Sequence, residues 1–562
     1  MGEKLLRLVA GWSTRKDGSS WFATFKSGLD EVFDGTSLFS LALVALLAAG
    51  CGTAVLFVLN AETREVEYNG YSTLLAVAFV LLLLIYRTAQ NYLIRKAAQE
   101  IEEALHRKRV RTTQDVMALG YQDIQSLRTG GSIDGLAAHY GALSQTLVPL
   151  INGAEGLVLL VFMFAYLLFL SPFAAVLTAL VVFVTVNGFL NSRGKLQQNL
   201  QKSAEAESSF RVLTEGLVSG AAELRLHARK RAALQSDLDL KSKDLEQGRS
   251  AAAAYFAQMM ATGTSASYLM AGAVVFVMPV LTGSGQAEIS RIVVAVIFLL
   301  GPVSSVVQTV QQLTSARFAL SKIQSFEARV AEMRKSQANG PLSQAAAEFD
   351  QIEFDDVAYT HPGDAQFHIS DASFKLKRGE ILFVTGGNGS GKTTLLRLLT
   401  GLYACEGGRI LLNSAKVPPL PEQSYRNLFA TVFSDFHVFP RPYGLDEKSV
   451  ARLDYWLTQL EIRDKFGEDL TRLAPETLST GQHKRLALAL ALAEDRPILV
   501  LDEWAADQDP ATRKRFYQEI LPGLKAQGLT IVAVTHDDQY FSACDNRIHM
   551  NEGRIATSGE SA

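Results

Sequence analysis

A chain of 562 residues with a net charge of −3 and a mean hydropathy of +0.12 is too long for one domain, and too apolar for an ordinary soluble protein. It also lacks the Lys and Arg excess that would neutralise nucleic-acid phosphates, so no nucleic-acid partner is expected. Cys51, Cys405 and Cys544 are too few and too scattered for a disulfide framework or a metal cluster, which leaves a reduced, cytosol-facing second half as the expectation.

Residues 1–36 are mostly polar and read as a cytoplasmic N-terminal segment; "LLRLVAGW" within them is short and amphipathic enough to lie on a membrane surface. Spanning about 30 Å of hydrocarbon takes about 20 residues at a rise of about 1.5 Å. Six stretches suffice, at 37–60, 72–94, 143–170, 172–192, 251–281 and 290–312, so residues 37–312 are expected to form an all-α, six-helix transmembrane domain. Only Ser171 and Pro172 separate the third stretch from the fourth, which predicts a tight helical hairpin. Within the third, Glu155 stands near Asn152, where an ionised side chain costs about 3 kcal/mol. It reads either as a substrate-contacting or proton-linked residue or as a water-facing structural one.

The segments between spans two and three and between spans four and five are rich in Lys and Arg, among them Arg107, Lys108, Arg109, Arg229, Lys230 and Arg231. The segment "AETREVEYNG" has only Arg64 and "TGSGQAEIS" has no base at all, so the basic segments are assigned to the cytoplasm, together with both termini. The basic segments are also helix-rich, and the membrane helices are expected to run on into the cytoplasm. Turns at 128–135 and 214–220 would then touch a cytosolic domain. Residues 313–348 read as a helix, a Gly-Pro break and a polar linker.

From 349 to 562, runs such as "EILFVTG", "RILLN", "PILVLDE" and "LTIVAVTH" alternate with helical segments, the pattern of an α/β domain with a largely parallel sheet. "GGNGSGKTT" follows one strand and opens a helix, fitting the phosphate-binding loop of a P-loop nucleotide-binding domain. The backbone of Gly386, Gly387, Asn388, Gly389, Ser390 and Gly391, with Thr394 behind it, is expected to wrap the phosphates of ATP. Lys392 would contact the β and γ phosphates, and the Thr393 hydroxyl would ligate Mg2+. The strand "ILVLDE" delivers Asp502 to the same metal and Glu503 to the attacking water, and His536, after the last predicted strand, stands close enough to sense the γ phosphate. "LSTGQ" sets Ser479, Gly481 and Gln482 at the start of another helix, a second place for anionic oxygen on a chain already able to hold its own nucleotide.

In order, these motifs, with "ADQD" between the last two, resemble the cassette of ABC transporters, and six spans followed by one cassette resemble their exporter half-transporters. The resemblance covers nearly the whole chain. It implies a head-to-tail homodimer in which Ser479, Gly481 and Gln482 complete the partner's ATP site and Asp509 contacts the partner cassette. "VFSDFHVF" and "LDEWAADQDP" are similar to the bacterial cyclic-peptide and siderophore exporter subgroup, which implies a modified peptide as cargo and the inner membrane as location. Two positions depart from the family pattern. Ser434 stands where a metal-touching Gln is usual, so water or Asp435 would fill the shell; the adenine-stacking aromatic aligns with His361, with Tyr359 two residues earlier. A lipid or drug exporter, an importer of the same fold, and an ATP-gated channel or regulatory subunit are the rival readings.

Overall fold

The structure is a computed structural model that describes residues 35–68, 72–129, 135–282, 286–335, 348–361, 368–419 and 422–556. The chain divides into two compact units, residues 1–114 with 131–328, and residues 115–130 with 329–562. The amphipathic segment expected near the N-terminus, most of the 336–348 linker and both chain ends lie outside the described residues.

The first unit is built of helices, most of them long: α1 (Gly35–Tyr68), α2 (Thr73–Met117), which ends in the second unit, and then, after α3 of that unit (Tyr121–Thr129), α4 (Leu136–Gln145), α5 (Leu147–Leu170), α6 (Pro172–Ser219), α7 (Ala221–Leu226), α8 (Ala228–Gly272) and α9 (Gln286–Lys335), which also ends in the second unit. Five stretches among the described residues are helical, long and apolar enough to cross a bilayer, at Leu43–Glu62, Thr73–Met117, Leu136–Leu170, Ala228–Val280 and Ile289–Val306. The fourth expected span, 172–192, is helical within α6, and the side chains of most of its second half lie outside the description. Apolar composition accounts for both faces of these helices. Leu56, Met163, Leu167, Val274, Ile292 and Val296 fill a common core, while Leu81, Phe169, Val176 and Phe276 stay exposed, a surface suited to hydrocarbon rather than water.

The α5–α6 hairpin forms where Ser171 and Pro172 require it. The Ser171 hydroxyl accepts the Ala174 N–H, and Pro172, with no N–H to lose, occupies the first helical position. At 48 residues, α6 is about 70 Å long, more than twice the hydrocarbon thickness. It packs along α8, and a Cβ on Gly248 would stand 3.0 Å from Ser203 Cβ, so close approach of the two helices there depends on glycine. At the α6–α7 turn the backbone is helical up to Ser219, and Val212, Val218 and Leu226 are exposed around it.

The second unit holds two sheets. Strands β1 (Gln351–Thr360), β2 (His368–Lys377), β4 (Gly407–Leu412) and β5 (Ala415–Val417) form an antiparallel sheet in the order β2-β1-β4-β5. The other strands, β3 (Ile381–Gly386), β6 (Phe429–Val432), β7 (Ile498–Asp502), β8 (Thr530–Val534), β9 (Asn546–Asn551) and β10 (Arg554–Ile555), form a sheet in the order β10-β9-β3-β8-β7-β6, parallel except at its β10 edge. "RILLN", grouped above with the parallel pattern, belongs to the antiparallel sheet. Its strand is covered only in part, whereas β3, β7 and β8 are buried at every residue, as strands packed on both faces must be. Phe383, Leu499, Leu501 and Ile531 face one core, shared with helices α11 (Glu447–Gln459) and α12 (Thr480–Ala493); Leu382, Val384, Val500 and Val532 face the other, shared with helix α10 (Lys392–Leu399).

Candidate functional site

Strand register assembles the site. Asp502 lies level with Val534, and Val534 with Val384, so the phosphate loop after β3, Glu503 after β7 and His536 after β8 all emerge at the carboxyl end of the sheet. Gly386 has φ +143°, and a Cβ there would sit 2.2 Å from the Met550 carbonyl oxygen, so only glycine makes this turn. Gly391, at φ +102°, caps α10 without a side-chain acceptor, which leaves the first-turn N–H groups directed at the loop. Lys392 is 6% exposed; its Nζ donates to the carbonyls of Gly386 at 3.1 Å and Gly387 at 2.9 Å and stands 3.7 Å from Glu503 Oε1. Gly387, Asn388 and Gly389 are exposed around it, Thr394 is half-buried behind, and the buried Ser390 hydroxyl has no hydrogen-bond partner among the described residues.

Asp502 is 1% exposed, and its Oδ2 accepts from the Thr393 hydroxyl at 2.9 Å and the Ser434 hydroxyl at 3.0 Å. Its Oδ1 is buried and has no partner among the described residues. Two hydroxyls and a carboxylate with a bare oxygen form a hard, all-oxygen donor set that fits Mg2+. Asp435 does not join that set. Its carboxylate pairs with Arg397 at 2.9 Å and accepts from the Tyr121 hydroxyl of α3 at 3.4 Å, so of the two residues offered above for the metal shell, Ser434 is the one at Asp502. Glu503 takes up a left-handed backbone, φ 52° and ψ 37°, unusual for a residue with a side chain. Its Oε1 lies 3.2 Å from His536 Nε2.

Tyr359 is closed to a base. It is 2% exposed, with its ring stacked on Tyr403 at 5.0 Å and its hydroxyl accepting from Gln122 of α3 at 2.7 Å. His361, directly after β1, is half-buried and edge-on to both tyrosines, so it is the less covered ring of the pair. The turn expected over 128–135 falls mostly outside the described residues; α3, just ahead of it, supplies the contacts through Tyr121, Gln122 and Gln125, the last accepting from the Tyr403 hydroxyl.

The second polar loop opens a helix of its own. Ser479 caps α12 in a reciprocal box with Gln482: the Ser479 hydroxyl accepts the Gln482 N–H, and the Gln482 side chain accepts the Ser479 N–H. Ser479 and Thr480 are exposed, and Gly481 abuts the Asp507 carbonyl, where a Cβ would come to 3.0 Å. Behind them the loop after Glu503 is tied to α12. Gln508 donates to the Gly481 carbonyl and accepts from Arg485, and Arg485 also donates to Asp509 at 2.8 Å. Asp509 caps helix α13 (Pro510–Arg515), and the Thr512 N–H and hydroxyl hold its carboxyl below the usual carboxylate range, helped by the Arg485 charge. Residue pattern alone assigns no role to Lys484, Arg485, Asp507 or Gln508. A signal was available for Lys484: Leu488 and Ala491 are four and seven residues on, so helical spacing puts a lysine on the buried face.

In the first unit, Glu155 is buried, its Oε2 accepting from Gln90 of α2 at 3.3 Å with the Tyr86 hydroxyl also beside it. The carboxylate is thus held by polar side chains inside the helix bundle.

A phosphate loop at the carboxyl end of a parallel sheet, joined in one chain to helices able to span a bilayer, defines a membrane-bound nucleotide hydrolase. Residues 369–506 match the ABC transporter family. The ATP-binding protein SyrD of Pseudomonas syringae pv. syringae is 29% identical over 528 residues, which cover 92% of this chain and 93% of that protein. The energy-coupling factor transporter ATP-binding protein EcfA1 of Thermotoga maritima is 33% identical over 37% of this chain and 82% of its own length. The Beta-(1-->2)glucan export ATP-binding/permease protein NdvA of Rhizobium johnstonii is 26% identical over 54% of each chain. A bacterial Atm1-family ABC exporter with ATP bound shares the fold, with a TM-score of 0.69 at 18% identity over 93% of this chain and 95% of its own. The chain belongs to the ABC transporter family and has the make-up of an exporter-type half-transporter, a multi-pass membrane protein that binds ATP and couples its hydrolysis to transport.

Proposed function

We propose that two copies of this chain form a homodimer in the bacterial inner membrane, with cassettes and termini in the cytoplasm, and export a cyclic or otherwise modified peptide by alternating access. One observation above all supports the dimer. Ser479, exposed, and Gly481 and Gln482, half-buried, open α12, and among the described residues none of the three bonds Lys392, Asp502 or Glu503 of its own chain, so a nucleotide they serve belongs to another cassette. The exposed apolar side chains at the α6–α7 turn offer the second copy a further surface. The peptide cargo rests on the resemblance of segments 432–439 and 501–510 to the cyclic-peptide and siderophore exporter subgroup.

In this reading Lys392 exchanges its carbonyl partners for the β and γ phosphate oxygens, and the α10 N–H groups hold the same anion. Bound at Thr393, Asp502 and, directly or through water, Ser434, Mg2+ would draw charge from the phosphates. Glu503 orients the attacking water and accepts its proton, with His536 beside it at the γ phosphate. His361 lies against the adenine. Closure of the cassettes over ATP moves α3 through its contacts with Tyr359, Tyr403 and Asp435, and hydrolysis releases it. Glu155 meets the cargo or a proton inside the helix bundle, its polar partners Gln90 and Tyr86 serving a structural role if neither reaches it.

Glu503→Gln should abolish steady-state ATP turnover while the protein retains ATP and favours the closed dimer; normal turnover would remove Glu503 from the chemistry. In lipid nanodiscs, cyclic peptides should raise the ATPase rate where lipids and hydrophobic drugs do not. Stimulation by the latter alone would favour the rival exporters, and failure to move any cargo against a gradient in sealed vesicles would favour a channel.

A further inference from the structure

Glu503 holds a backbone conformation that is strained for a residue with a Cβ and persists only where its surroundings impose it. Two interactions impose it, and they are reciprocal. The Lys484 ammonium donates to the Glu503 carbonyl at 2.9 Å, and the indole N–H of the next residue, Trp504, donates to the Lys484 carbonyl at 2.8 Å. Trp504 is buried against Phe516, with ring centroids 4.4 Å apart, so the peptide joining residues 503 and 504 is clasped between two fixed elements. Lys484 is 5% exposed and its charge is met by Asp507 at 2.8 Å. A buried ion pair of this kind is poor evidence of stabilisation, because an apolar side chain of similar volume commonly serves the core as well. What an apolar side chain cannot supply is a charge-assisted bond to a strained carbonyl.

We propose that Lys484 is the positioning residue of the hydrolytic site: through the Glu503 carbonyl it locks the left-handed turn that aims the Glu503 carboxylate at the reacting phosphate, and Asp507 in turn fixes its ammonium. The proposal rests on the reading of Glu503 as the residue that activates water. Lys484 stands outside the phosphate loop, its ammonium taken up by the Glu503 carbonyl and Asp507. Its loss therefore leaves ATP binding at the phosphate loop intact and lowers only the chemical step. Because Lys484 sits one turn into α12, whose first residues are the Ser479–Gln482 loop, the same clasp ties that loop to Glu503.

The test compares Lys484→Met, which keeps the volume and removes the donor, with Lys484→Gln, which keeps a donor without the charge. The full-length protein, reconstituted in nanodiscs, is used. Lys484→Met should lower kcat about tenfold or more with KM for ATP within about twofold of wild type, and Lys484→Gln should recover most of that loss. Asp507→Ala, at a half-exposed position that does not threaten folding, should lower kcat about threefold at unchanged KM. A wild-type kcat in folded Lys484→Met or Asp507→Ala overturns the proposal, as does a Gln variant no better than Met. So does a loss carried mainly by KM. Should Lys484→Met fail to fold, the Asp507→Ala and Lys484→Gln results decide on the same criteria. Glu503→Gln, measured alongside, separates the two levels: full turnover in that variant refutes the role of Glu503, whereas lost turnover there with a normal Lys484→Met refutes only the clasp.

Discussion

Asp502 spends one carboxylate oxygen on two hydroxyls, Thr393 and Ser434, and leaves the other bare in a buried site. A buried acceptor without a partner costs about 1–3 kcal/mol, and a divalent cation would repay it directly. Asp502→Asn should therefore weaken metal-dependent nucleotide binding about 10–100-fold. A Mg2+ titration of ATP binding checks this, and an unchanged titration would mean that the metal is held elsewhere. Asp509 gives a pH prediction. Its folded pKa lies below the unfolded value because Thr512 donates to the carboxylate, so its contribution is fully present above the ordinary carboxylate range and disappears as pH falls through the folded value. The gap in melting temperature between wild type and Asp509→Asn should accordingly be open at about pH 6 and close toward about pH 3.

Among elements, α3 is the one whose origin and destination differ: it follows the long helix α2 in sequence, yet belongs to the second unit. Its Tyr121 ring covers the Arg397 guanidinium, 5.4 Å from the ring centroid, while Arg397 binds Tyr403 and Asp435. Arg397 lies on α10, the helix that begins at the phosphate loop, and Asp435 is next to Ser434, so nucleotide-dependent movement at either has a short path to α3. Tyr121→Ala should preserve basal ATPase and reduce its stimulation by cargo, measured as the ratio of the two rates; an unchanged ratio would rule out Tyr121 as part of the path. Strand β3 sets a different expectation. Phe383 is fully buried at its centre and edge-on to Tyr517, and Phe383→Ala should cost about 3–5 kcal/mol in denaturant unfolding of the second unit.

For the full transporter, the proposed head-to-tail pairing, in which each chain bears half of each of two sites, has to be tested on the pair. Asn388 in the phosphate loop and Ser479 are both exposed, and in the proposed dimer they approach across the interface. The three native cysteines are unbonded and can be replaced. In a cysteine-free Glu503→Gln background, Asn388→Cys with Ser479→Cys should form a covalent dimer on mild oxidation with ATP and Mg2+, and not without them. Monomers under both conditions would refute the head-to-tail arrangement.

The membrane helices and the phosphate loop were legible in the sequence because each depends on local chemistry: a run of apolar residues satisfies its own backbone as a helix, and glycines at fixed spacing make one kind of turn. The alternation of strand and helix likewise pointed to the parallel sheet, although it did not separate "RILLN" from that sheet, since a short apolar run has the same appearance whether covered on one face or two. Proximity across the chain was another matter. Whether Ser434 or Asp435 turns to Asp502, and whether Tyr359 or His361 is the more covered ring, depends on what Arg397, Tyr403 and α3 bring beside them. Residue order supplies the chemical groups; packing decides which of them meet, and that a lysine of α12 bonds the carbonyl of the strained turn at Glu503. Propensity and pattern act over neighbouring residues, whereas Lys484 and Glu503, 19 residues apart, meet only when a helix and a strand pack.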